Sequence, residues 1–144
     1  MKVFESVEMR YLLENAGGQP VDHPVVSRAF AAVPLDRMKG SLVDWDDGGF
    51  HEYDLVNQSA RELMQLAPEH AQILVALGRF SAGVIVDWVA LIDSFESVFV
   101  AGQPIYLFPV ADSATGLEWD FAEYDGFFAL RFRRRAASPG VQVR

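Results

Sequence analysis

The chain has 144 residues, no cysteine, 20 acidic against 12 basic residues, and a net charge of −8. An apolar fraction of 51 % with 12 % aromatics is too high for a disordered chain and enough for one well-buried core. The composition excludes disulfides, thiolate metal sites and a cysteine nucleophile. No apolar run reaches the roughly 18 residues of a membrane helix, because the greasiest stretch, Ala82 to Ala101, is broken by Asp87, Asp93 and Glu96.

Residues Met1 to Arg10 alternate charged and apolar side chains, without the zones of a secretory signal, so a cytoplasmic protein is expected. The charge is unevenly spread. Residues 1–130 hold all 20 acids and 7 bases, a balance of −13, whereas Arg131, Arg133, Arg134, Arg135 and Arg144 make the last 14 residues +5. An acidic body repels phosphate backbones and anionic lipid and draws in cationic proteins.

In chain order, the spacing of Val7, Tyr11 and Leu12 predicts a first helix over Glu5 to Asn15, stopped by Gly17 and Gly18. Asp22 then caps a second helix with Pro24 in its first turn. Val25, Val26, Ala29, Phe30 and Val33 form its apolar face, and Pro34 ends it. From Ser41 to Val56 the pattern changes to Leu42, Val43 and Trp45, then Asp46, Asp47, Gly48 and Gly49, then Phe50, Tyr53 and Leu55, which predicts a β-hairpin. Ser59 caps a further helix, and past Pro68 a second is expected from Glu69 to Arg79, with Ile73, Leu74 and Leu77 on one side.

The stretch from Ala82 to Phe99 admits two readings. Its β-branched start suits a buried strand, but Val84, Trp88, Leu91, Phe95 and Val98 recur at helical intervals, and a helix is the reading adopted. Three strands follow, Ile105 to Val110, Leu117 to Tyr124 and Phe127 to Arg133, the last two joined through Asp125 and Gly126. Helices and hairpins without βαβ alternation define an α+β fold. It comprises one domain over residues 1–135, with N-terminal and central helices, one central β-hairpin and a C-terminal antiparallel meander, and a short tail at 136–144.

Chemical motifs are sparse. Asp44, Asp46, Asp47, Gly48 and Gly49 resemble the start of a calcium loop, yet the twelfth position is Leu55 where a bidentate Glu is required. His51 lies near these carboxylates, but strand alternation sets it on the face opposite Glu52, and His23 and His70 stand in unrelated contexts. There is no Gly-x-Ser-x-Gly elbow and no glycine-rich phosphate loop. No catalytic residue, metal or cofactor is therefore assigned.

The C-terminal arginines resemble a nucleic-acid patch, but the acidic body opposes it. Alternation also sets Arg131 and Arg133 on an outer face, to pair with the protein's own acids, with Phe132 inward. Nucleic acid and membrane are thus excluded as partners.

What remains is an acidic, aromatic surface. Asp44, Trp45, Asp46, Asp47, Glu52 and Asp54 on the central hairpin, joined by Asp120, Glu123 and Asp125 on the C-terminal hairpin if the two are neighbours, make the kind of site that captures a basic protein. The competing role for the aromatics is the core. The expected function is a non-enzymatic binding module, a stoichiometric inhibitor or immunity or antitoxin-like protein that neutralises a basic partner such as a toxin enzyme. This is an analogy of physical type and not a match to a family. Two rivals stand beside it: a small carboxylate- or metal-dependent enzyme with His51 as base, and an assembly subunit forming homo-oligomers by burying Trp88 against a copy.

Overall fold

A computed structural model describes residues 6–31, 33, 35–36, 42–43, 50–54, 59–114, 116–127 and 129–134. Their order is α1 (Val7–Asn15), β1 (Gln19–Val21), α2 (His23–Phe30), β2 (Leu35–Asp36), β3 (Leu42–Val43), β4 (Phe50–Asp54), α3 (Ala60–Met64), β5 (Gln72–Ala76), β6 (Gly83–Asp87), α4 (Trp88–Asp93), α5 (Phe95–Val98), β7 (Ile105–Pro109), β8 (Trp119–Tyr124) and β9 (Ala129–Arg134). Seven strands form one antiparallel sheet in the order β1-β6-β5-β7-β8-β9-β4, and β2 pairs with β3 in a small ribbon. The α+β class and the C-terminal meander are as the sequence predicts.

The helix starts follow from their caps. Ser6 accepts a hydrogen bond from the Met9 amide at 3.3 Å, and Ser59 forms a reciprocal capping box with Glu62. Asp22 occupies the N-cap of α2, but its side chain makes no capping bond, so Pro24 in the first turn carries that signal. In α1 the buried residues are Met9 and Leu12, while Val7, expected on the apolar face, is exposed.

Three expectations require correction. The predicted helix from Glu69 to Arg79 contains strand β5, in which Ile73, Leu74, Val75 and Ala76 are all buried. Ile73 and Val75 join the core on one face of the sheet and Leu74 and Ala76 the core on the other. A strand covered on both faces loses its period-two pattern and cannot be told from a buried helix by periodicity. The predicted helix over Ala82 to Phe99 begins as strand β6 and turns helical only at Trp88, with α4 and α5 separated at Ser94, whose hydroxyl bonds back to the Ala90 carbonyl at 2.8 Å. Gly83 is required in β6 because a Cβ there would stand 2.7 Å from the Val75 carbonyl oxygen. Finally, among the described residues the two arms of the central hairpin do not pair with each other. Leu42–Val43 pairs with Leu35–Asp36, and Phe50–Asp54 joins the main sheet against β9. The Asp46 to Gly49 turn lies outside the described residues, as does the expected tail at 136–144.

The larger core packs α1, α3, α4 and α5 on one face through Met9, Leu12, Leu63, Trp88, Leu91 and Val98. On the other face α2 contributes Val26 and Phe30, joined by Val33, with Phe30 meeting Tyr106 and Phe108 edge-on at 5.2 and 4.9 Å. Two tryptophans fix the end of α3, one from the start of α4 and one from β8. The Trp88 indole donates to the carbonyls of Leu63 and Met64, both at 3.2 Å, and the Trp119 indole to that of Leu66 at 2.8 Å, satisfying carbonyls that a helix end leaves unpaired. Trp88→Phe retains an aromatic but removes the donor and leaves a void. Equilibrium urea unfolding should register a loss of about 2–4 kcal/mol.

Candidate functional site

The meander's register determines where the charges fall. Strand β9 lies between β8 and β4, so the two acidic groups of the sequence flank a single strand. Arg131 on β9 stands opposite Glu123 on β8 and Glu52 on β4, and Arg133 stands opposite Phe121 and Phe50. The central arginines are thus bracketed by carboxylate-bearing strands. Sequence reasoning left this adjacency open, since β4 and β9 are far apart in the chain and only the fold pairs them.

Three of the predicted binding carboxylates are engaged within the chain. Asp120 sits where the β8–β9 register slips, between Trp119 opposite Arg134 and Phe121 opposite Arg133. This bulge presents it to Arg133, whose Nε donates at 2.7 Å and Nη2 at 3.2 Å to the two carboxylate oxygens. The same guanidinium lies 5.9 Å from the centre of the buried Phe121 ring. Glu123 is buried opposite Tyr106 on β7, where its charge helps to hold the phenol protonated. Asp125 organises the β8–β9 turn: its Oδ1 accepts from the amides of Phe127 at 2.7 Å and Ala129 at 3.3 Å, and Gly126 takes φ +89° beside it.

Of the others, Glu52 and Asp54 lie on β4, the last strand of the sheet among the described residues. Asp44, Trp45, Asp46 and Asp47 lie outside the described residues. The register also places His51 opposite Phe132 and Tyr53 opposite Leu130, in alternation with Glu52, as the strand reading requires.

A cleft of about 280 Å³ opens beside the start of β8, between the segment after α3 and the end of β9. Buried Ala67, Leu117, Trp119 and Phe132 line it with half-buried Leu66, and exposed Gln65, Glu118 and Arg134 stand around it. Trp119 packs edge-on to Phe132 at 5.1 Å, and with its indole N–H already bonded to Leu66 it offers the cleft a hydrophobic wall. Phe132, opposite His51, connects this cleft to β4 through β9.

One further polar pair went unrecognised in the sequence. His70 Nδ1 lies 3.1 Å from Asp87 Oδ2, and the other Asp87 oxygen accepts the Gln72 side-chain amide. The pairing of β5 with β6 sets Gln72 opposite Asp87, and no linear spacing announces it. A carboxylate-oriented imidazole is the arrangement of a general base, but the His70 side chain is 80 % exposed and neither residue lines the cleft. The Ser113 hydroxyl accepts the Gln72 backbone amide at 2.8 Å. Among the described residues no three carboxylate or imidazole groups converge as a metal site would need, and no helix is long and apolar enough to cross a membrane. Trp88, which the assembly reading would present to a copy, is fully buried in the chain's own core.

Compared with known proteins, the chain matches no protein-family model, no curated protein and no solved structure.

Burial, reinforced by the charge and hydrogen bond of Glu123, pushes the Tyr106 phenol up from 10.0 to about 12. Burial, with the charge of Asp125, also raises Tyr124. A phenol held neutral by the fold favours the folded state while it stays protonated. This contribution is complete below pH 10 and is lost as the pH rises to about 12. Urea midpoints measured across that interval should fall, and Tyr106→Phe should flatten the decline, with the remainder carried by Tyr124.

Proposed function

We propose that this chain is an acidic protein-binding module, a stoichiometric inhibitor of the immunity or antitoxin kind, whose carboxylates occupy the cationic site of a basic partner enzyme. One observation carries the reading: β4, with Glu52 and Asp54, closes the described sheet beside β9, whose Arg133 is already matched by Asp120. The hairpin acids Asp120, Glu123 and Asp125 serve the chain's own arginine, tyrosine and turn. The surplus negative charge of this region therefore belongs to the 44–54 segment, which holds Asp44, Asp46, Asp47, Glu52 and Asp54 and no lysine or arginine.

Such a surface speeds encounter with a cation and penalises like-charged competitors, and its effect weakens with salt. The cleft near Trp119 and Phe132 supplies what charge alone lacks, a desolvated pocket for an apolar anchor of the partner. A binding mode of this kind needs no nucleophile and no metal, in keeping with a sequence that carries none of the phosphate-loop or serine-elbow signatures.

Affinity capture from the native lysate should retain a basic protein at low ionic strength and release it at high. Replacing Asp46, Asp47, Glu52 and Asp54 together by Asn or Gln should cut retention at least about tenfold, the effect of roughly 1.4 kcal/mol, while the variant stays folded with a cooperative thermal transition. Absence of any retained basic protein, or full retention by the folded variant, would overturn the proposal.

A further inference from the structure

We infer that β4 is a docking edge, at which an extended segment of the partner with Arg or Lys at alternate positions adds to the sheet as a further strand. This rests on the acidic-binder reading and names its mode. The register carries it. Tyr106 on β7 stands opposite Glu123 on β8, Glu123 opposite Arg131 on β9, and Arg131 opposite Glu52 on β4. The row crosses four strands, and its last three members alternate acid, base, acid. Opposite charges directly across a strand pair are favourable and like charges are unfavourable. The next place in this row, on a strand added outside β4, therefore selects a cation. The place two residues along, opposite Asp54, selects another.

Among the described residues the sheet ends on β1 and β4, and these two strands differ in their fitness for this role. At the far side, β1 has three residues with Pro20 at its centre, and a proline offers no N–H to a ladder. Strand β4 has five residues and no proline, so its backbone can supply the main-chain bonds on which strand addition depends. Its acids also decide who can pair. Two copies of β4 joined antiparallel about Glu52 would set Glu52 against Glu52, which disfavours self-association, whereas a strand with alternate cations meets opposite charge at each contact.

The test uses the full chain and a short synthetic peptide with arginine at alternate positions and threonine and valine between, titrated by fluorescence anisotropy at low salt. Three comparators have the same charge: an isomer with the arginines contiguous, and two peptides N-methylated at alternate amides in one phase or the other. Only one phase of amides faces the edge of an added strand. One methylated peptide should therefore lose at least about tenfold in affinity while the other binds like the parent, and the contiguous isomer should bind more weakly than the parent.

Glu52→Gln and Asp54→Asn should each weaken the parent peptide by about two- to fivefold, the span of a single cross-strand charge pair, with the thermal midpoint unchanged for Asp54→Asn, which faces Ala129, and lowered slightly for Glu52→Gln, which also loses Arg131. A parent peptide that does not bind, an isomer that binds equally, or methylation in both phases without effect would overturn strand addition. None of these outcomes would bear on salt-sensitive capture of a basic protein, so the two proposals fail separately.

Discussion

Burial of the central strands on both faces is the constraint from which most of this structure follows. Strand β5 sends Ile73 and Val75 into the core beneath α1, α3, α4 and α5, and Leu74 and Ala76 toward α2. Its neighbour β7 does the same with Ile105 and Leu107 against Tyr106 and Phe108. With both surfaces occupied, the middle of the sheet must be apolar throughout, and charge can enter only toward the ends of the strand order. Most of it is found in β8, β9 and β4, with Asp87 entering only at the last residue of β6, so the layering that stabilises the domain also limits where a charged surface can lie.

The same constraint explains what the sequence did and did not disclose. Elements with a local signal were legible: α1 with the glycines that stop it, α3 with its Ser59 cap, α2 with Pro24, and the meander with Asp125 and Gly126 at its tight turn. Residues 69–87 were misread because a strand buried on both faces is uniformly apolar, and Leu74, Leu77, Val84 and Trp88 then fall at helical intervals by composition alone. The central hairpin was misread for a different reason. Turn chemistry reports that the chain reverses, not which strand receives it, and the pairing of β4 with β9 is decided by contacts between residues far apart in sequence.

The candidate site was legible as a list of residue types but not as an arrangement. Asp120, Glu123 and Asp125 looked equivalent to Glu52 and Asp54 in the sequence, five carboxylates among aromatics. The fold separates them: a bulge turns Asp120 to Arg133, the sheet buries Glu123 against Tyr106, and a tight turn engages Asp125. The expectation that the C-terminal arginines pair with the protein's own acids holds for Arg133 and Asp120. The His70–Asp87 pair was invisible because it depends on Gln72 lying opposite Asp87 in a pairing that the helical reading of both segments excluded.

An acidic edge carries a cost that the position of β9 reduces. Five carboxylates within eleven residues, Asp44 to Asp54, repel one another and the rest of a −8 chain. Strand β4, which bears Glu52 and Asp54, would pair poorly with another acidic strand. Placing β9, with Arg131 and Arg133, between β8 and β4 gives each acidic strand a basic neighbour, and so permits the sheet to end on acids. Arg133, closed bidentately on Asp120, is spent inside the domain. The basic end of the sequence is thus the counter-charge that lets the opposite sign be concentrated at the edge, and the division between an acidic body and a basic terminus seen along the chain becomes, in the fold, a single alternating sheet.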